Sequence, residues 1–145
     1  MINFFTTEDS KESDRDFTLF NKKDVSAWIS EVISSEGFEE GEITYVFCDD
    51  AYLHSLNVKF LEHDTLTDII SFDYSLGNQI NGEIYISIER VKENAEEFNA
   101  SFTEELHRVI IHGILHYCGY KDKSETEVKE MRKREDKALS LVKLI

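Results

Sequence analysis

A chain of 145 residues, 41% hydrophobic and 12% aromatic, is long enough for one domain with a sizeable buried core. Its formal charge of −14, from 30 acidic and 16 basic residues, argues against an indiscriminate nucleic-acid binder, because neutralising phosphates takes Lys and Arg. No apolar run approaches the ~18 residues of a membrane span. With no secretory segment and no CxxC pair, the expected setting is cytoplasmic, with Cys48 and Cys118 reduced.

Met1 to Thr6 reads as a short edge strand, followed by a polar loop. Val25, Trp28, Ile29, Val32 and Ile33 form an apolar stripe at helical spacing, so a helix is predicted from Leu19 to Ser35, stopped by Gly37. Glu42 to Cys48 is a predicted strand, and Asp50 is placed as the cap of a short helix through Leu53, Leu56 and Phe60. Asp68 to Tyr74 and the alternating Gly82 to Ile88 flank Gly77-Asn78 and read as a hairpin. A polar helix follows from Glu89 to Phe98. Ser101-Phe-Thr-Glu104 resembles a capping box and opens a helix that is apolar nearly all round, which places it through the centre of the domain. Ser124-Glu-Thr-Glu127 caps a last amphipathic helix through Met131, Ala138, Leu139 and Val142. The predicted fold is a single α+β domain, a mixed sheet of about four strands with a buried metal-bearing helix and flanking helices.

That central helix carries His112-Gly-Ile-Leu-His116, with Gly119 and Asp122 beyond it. Histidines four apart on a helix lie one turn above each other. In the zincin signature His-Glu-x-x-His-x-x-Gly-x-x-His the same four slots hold His, His, Gly and a third ligand. The glycine there ends the helix in a left-handed turn, and the chain doubles back to aim the last side chain at the metal. His112, His116 and Asp122 are therefore the candidate ligands of one ion. Two imidazoles and a carboxylate suit Zn2+ with an open position for water. The plainer alternative is two unrelated histidines, one capping the helix and one satisfied in the core. Gly113 stands where a zinc peptidase has its Glu base; close packing or substrate access is the role expected of it.

Three stretches, taken in order, resemble the YbeY family of endoribonucleases. Leu56-Asn57 with Leu66-Thr67-Asp68-Ile69-Ile70-Ser71-Phe72 is similar to that family's Leu-Asn and Pro-Thr-Asp-Val-Leu-Ser-Phe. Gly82-Glu83-Ile84-Tyr85-Ile86 is similar to its Gly-Asp-Ile-x-Ile strand. His112 to His116 with Gly119-Tyr120 is similar to its His-Gly-x-Leu-His-x-x-Gly-Tyr-Asp-His. The resemblance implies a zinc-dependent, single-strand-specific endoribonuclease of rRNA maturation and ribosome quality control, whose partners are single-stranded or ribosomal RNA and the ribosome or its proteins. DNA is not an expected substrate.

Two positions depart from the family. Its third histidine is Asp122 here, preceded by Lys121, which alters the expected affinity or metal choice. Its arginine after Leu-Asn-x-x-aromatic is Leu61, and the nearest cation, Lys59, is the candidate for that substrate-binding role. Arg108, one turn before His112, is the catalytic candidate to touch the phosphate; the alternative for it is an ion pair with Glu104 or Glu105. Thr67, Asp68 and Ser71 are candidates to line the substrate's approach, or they only close a turn and start a strand. Nine of the 16 cations lie from Arg108 onward, so a basic surface beside the motif is expected. Two rivals stay open: another metallohydrolase, including a peptidase, and a non-catalytic ribosome-associated factor with a structural metal.

Overall fold

The computed structural model describes residues 1–7, 19–62 and 67–142. The polar loop after the first strand, His63, Leu66 and Lys143 lie outside the described residues. Strand β1 (Ile2–Thr6) runs along one sheet edge. Helix α1 (Lys22–Ser35) starts three residues later than its apolar stripe suggests, because Asn21 caps it by accepting from Asp24 N–H at 3.1 Å. Strand β2 (Glu39–Cys48) begins earlier than expected, continued through a bulge between Glu40 and Ile43. The cap of α2 (Asp50–Leu61) is Asp49, not Asp50, with its carboxylate on Tyr52 N–H at 2.8 Å.

The predicted hairpin is present as β3 (Ile69–Asp73) and β4 (Gln79–Ser87), paired antiparallel. Ile88, expected to end that strand, instead opens α3 (Ile88–Glu97). The Ser87 hydroxyl accepts from Arg90 N–H at 3.2 Å and turns the chain into the helix. Helix α4 (Phe102–Tyr117) is capped by Ser101, and α5 (Glu125–Leu139) by a full capping box between Ser124 and Glu127. The sheet order is β1-β2-β4-β3, with β1, β2 and β4 parallel and β3 antiparallel at the far edge. The result is the α+β domain with a mixed four-stranded sheet that the element order predicts.

Strand alternation gives the sheet two apolar faces. Phe4, Ile43, Tyr45, Phe47, Ile84 and Ile86 point toward α1 and α4 and form the main core. Cys48, Ile70, Phe72 and Tyr85 point the other way, under Leu53 and its neighbours on α2. Helix α4 is buried along most of its circumference, and each fully buried isoleucine contributes about 1.5–3 kcal/mol by leaving water. Gly113 is what lets it approach so closely: a Cβ there would meet Ile84 Cδ1 at 3.0 Å and Ile69 Cδ1 at 3.3 Å. Three hydrogen bonds lock the helix layer: Tyr45 hydroxyl to Ile110 O at 2.8 Å, Tyr117 hydroxyl to Phe72 O at 2.9 Å and Trp28 indole to Ala138 O at 2.9 Å.

His107 lies on the opposite side of α4 from the motif histidines, packed 5.4 Å from the Trp28 ring, with Nδ1 2.7 Å from Thr103 O. Burial lowers its pKa. The unfolded chain therefore takes up a proton on this ring before the folded one does. Stability from the neutral ring is complete above the unfolded pKa of about 6.5 and is lost as pH falls below it. His107→Phe keeps an aromatic ring beside Trp28 and removes the titration. The drop in unfolding free energy between pH 7 and pH 5, read from urea melts, is expected to be smaller in the variant; an equal drop would show that other groups set the slope.

Candidate metal centre

Beyond Thr103, the residues of α4 that stay half-exposed are four apart: Glu104, Arg108, His112 and His116. This stripe is the one face that core packing leaves open, so the two imidazoles project from a rigid, buried rod. The helix then ends as the Gly119 spacing predicts. Gly119 adopts φ 100, its N–H bonds His116 O at 3.0 Å, and Tyr120 N–H bonds Leu115 O at 3.1 Å. That pair of bonds is a Schellman motif, and its left-handed residue is where glycine carries no Cβ penalty. Tyr120 is pinned in turn, its hydroxyl on Glu36 at 2.8 Å and the Arg134 guanidinium 5.1 Å above its ring. The returning chain brings Asp122 over the helix end.

The three candidate ligand atoms form a near-equilateral triangle. His112 Nε2 and His116 Nε2 are 3.0 Å apart, and each is 3.2 Å from Asp122 Oδ2. Around a tetrahedral ion with bonds of about 2.0–2.1 Å, donor atoms are roughly 3.3 Å apart. The triangle fits one face of such a site.

The outer hydrogen bonds decide what those atoms are. His112 Nδ1 is 2.6 Å from Glu135 Oε2, and His116 Nδ1 is 2.9 Å from Tyr120 O. Both partners only accept, so each Nδ1 keeps its proton and each neutral ring turns an Nε2 lone pair toward Asp122. Two lone pairs and a carboxylate converging at this range repel one another unless a cation or a proton lies between them. Among the described residues, these three are the group of His, Cys, Asp and Glu side chains placed to hold a metal ion. Cys118, half-buried at the helix end, is not among them.

Glu135 is the residue that sequence reasoning missed. It is 4% exposed and bridges the site, Oε1 taking Arg108 Nη1 at 2.9 Å while Oε2 holds His112. Burial pulls the His112 pKa down, but the Glu135 carboxylate, with Asp122 and Asp68 behind it, outweighs that and leaves it raised. A signal was present: with Met131, Ala138 and Val142, Glu135 completes an apolar stripe at helical spacing, where a carboxylate does not belong unless it has a buried partner.

A cavity of about 610 Å³ opens beside the triangle, between α3, α4 and α5, with His112 and Asp122 in its wall. Arg108 and Asp68 line it too. Arg108 is not paired with Glu104 or Glu105; it forks onto α5, to Glu135 and, at 2.8 Å, to Asp136. Burial raises the Asp68 pKa, and Asn94 Nδ2 approaches its carboxylate at 3.4 Å. The other candidates stand apart from this wall. Lys59 lies exposed near the end of α2 with its ammonium 5.3 Å over the Phe60 ring. Thr67 Oγ1 donates to Ile69 O at 3.3 Å, and Ser71 is exposed on β3. Of the late cations, Lys129 and Arg132 line the cavity, whereas Arg134 is spent on Glu130 and Tyr120.

An α+β domain whose central helix and Schellman turn aim two imidazoles and a carboxylate at one point is a protein built around a candidate metal centre. The sequence model described as Endoribonuclease YbeY matches residues 8–143, and the chain belongs to that family. It is 56% identical to the Endoribonuclease YbeY of Flavobacterium johnsoniae over 97% of this chain and 96% of the relative. To that of Christiangramia forsetii it is 53% identical, covering 97% and 93% of the two chains. The solution structure of a Thermotoga maritima protein is similar in fold, with a TM-score of 0.63 and 26% identity over 97% of this chain and 91% of that one.

Proposed function

We propose that this chain is a zinc-dependent endoribonuclease that cuts single-stranded RNA in rRNA maturation and ribosome quality control, in the cytoplasm and in contact with the ribosome or its proteins. The observation that carries the reading is the triangle of acceptors formed by His112, His116 and Asp122, with both imidazole tautomers fixed from behind. A single bound divalent ion supplies Lewis acidity and activates water at such a centre. The chain's own residues do the rest. Glu135 Oε2 and Tyr120 O hold the two Nδ1 protons, so neither ring can turn its lone pair away. Arg108 steadies Glu135 and places a positive charge in the cavity wall, available to a phosphate because only two of its five N–H groups are needed for the fork to α5. Asp68 adds a further carboxyl to the same wall.

Both rivals meet physical objections. A peptidase of zincin type needs a glutamate after the first histidine. At Gly113 even a Cβ is already in tight contact with Ile84 and Ile69. A structural metal wants a closed shell of four ligands; among the described residues there are three, and the Asp122 side chain is 41% exposed beside an open cavity. One set of assays on purified protein tests the proposal: metal content, then cleavage of single-stranded RNA and of casein, each with and without chelator. Stoichiometric zinc and chelator-sensitive RNA cleavage are expected, with casein untouched. Bound metal without RNA cleavage would favour the structural role, and casein digestion would favour the peptidase.

A further inference from the structure

We propose that Phe98 is a stacking platform for an unpaired nucleobase, with Lys129 and Arg132 holding the adjoining phosphates, in the cavity whose inner wall carries His112 and Asp122. The inference rests on the endoribonuclease reading and adds where the nucleotide beside the cut is gripped.

Phe98 is 59% exposed and, unlike the exposed Phe60, whose ring packs edge-on against Phe72, it makes no ring contact among the described residues and faces the cavity. It is not on a loose loop. Its N–H bonds Asn94 O at 2.9 Å, and the next two residues close a second Schellman turn, Asn99 N–H to Glu96 O at 3.3 Å and Ala100 N–H to Ala95 O at 2.9 Å. Asn99 takes the left-handed residue at φ 59. The ring is thus presented from a fixed helix end. Val128, also exposed at 49%, lies in the same cavity wall.

Charge selects the occupant. Lys129 makes no ion pair among the described residues, and Arg132, 58% exposed, comes no nearer than 3.8 Å to a carboxylate, that of Glu135. In a chain of net charge −14, one unpaired cation and one only loosely paired, beside an exposed ring, are a local exception. Of the four acids in the same wall, Asp68 is half-buried and Glu105 buried, with burial raising the pKa of both; Glu135 is buried against Arg108, and Asp122 belongs to the ligand triangle. Phosphates therefore find attraction at the Lys129–Arg132 lip and at a cation held by His112 and Asp122, while a base finds an apolar face at Phe98. A cavity of about 610 Å³ lies within the ~300–1,000 Å³ that small ligands of nucleotide size occupy. A base inside a duplex has no free face to offer, so this grip selects single strands, and stacking makes it tolerant of base identity.

The test uses the full chain loaded with zinc. Phe98→Ala is expected to raise KM for a single-stranded RNA oligonucleotide about tenfold, with kcat and metal content unchanged and Phe98→Tyr close to wild type. Lys129→Ala with Arg132→Ala should flatten the log–log salt dependence of binding by about 1.4, two phosphates at ~0.7 each. In Phe98→Trp the introduced indole should be quenched by the single strand and not by the matching duplex, while Trp28, 4% exposed, stays silent. That fluorescence signal needs no cleavage. Quenching without RNA cleavage would leave the base site standing and overturn the nuclease reading. Intact cleavage with an unchanged KM in Phe98→Ala, and no quenching of the introduced indole, would overturn the base site, as a protein segment lying in the cavity would predict.

Discussion

His116→Ala will leave a folded protein without stoichiometric metal and without chelator-sensitive RNA cleavage. The imidazole is one corner of the triangle, 3.0 Å from His112 Nε2 and 3.2 Å from Asp122 Oδ2. Removing it leaves two ligands, too few to hold zinc against solvent in a site open on one side. The cost to the fold is small by comparison. The side chain is 31% exposed, and its one structural bond, Nδ1 to Tyr120 O, supports a turn that Gly119, Glu36 and Arg134 also hold. About 1 kcal/mol is the expected loss for that bond. Elemental analysis and a thermal melt on the same sample check both halves. Full zinc retention would place the metal elsewhere, and an unfolded variant would mean that the ion helps to hold the domain together.

How much of this was legible in the sequence depended on how local each feature is. His112, His116, Gly119 and Asp122 sit on one helix and its terminal turn, so spacing alone places them: one rotation rule and one left-handed residue suffice. The buried character of α4 was legible for the same reason, because a helix apolar nearly all round has nowhere to go but inside. For Gly113 the sequence leaves close packing and substrate access both open, and the contacts with Ile84 and Ile69 show the packing. Cap residues are marked less sharply: Asp49, not Asp50, takes the α2 cap, and since both are aspartates only backbone geometry separates them. The order β1-β2-β4-β3 was not legible at all, since parallel pairing is set by how the intervening helices pack and leaves no turn signature. Arg108 went to α5 rather than to its own helix. Sequence rules for neighbours three or four apart see only the same helix, and its partners lie 27 and 28 residues further on.

Glu135 shows where such reading stops and what replaces it. It is 23 residues from the histidine it orients. Once the fold is known, its role follows from counting donors. Oε1 accepts from Arg108 and Oε2 from His112, so both carboxylate oxygens are needed as acceptors at the same time. Glu135→Gln keeps the shape and gives up one of them. An amide that keeps its oxygen on Arg108 turns its NH2 onto His112 Nδ1, which must then become the acceptor. The imidazole proton moves to Nε2, and the atom that should ligate no longer has a lone pair to offer. The opposite rotamer sets the amide N–H against the Arg108 guanidinium, leaving a half-buried cation with Asp136 as its remaining partner. Either way the site loses, and zinc affinity is expected to fall about 10- to 100-fold, the range for removing an outer partner of a ligating histidine. Because Glu135 is buried, breaking its pair with Arg108 should also cost about 3 kcal/mol of stability. Competition titration against a chromophoric chelator reads the first effect and urea unfolding the second. Zinc affinity within threefold of wild type would show that Tyr120 and the ring packing fix the tautomer without Glu135. A loss of affinity with stability intact would instead assign Glu135 to the metal alone and leave Arg108 to be held by Asp136.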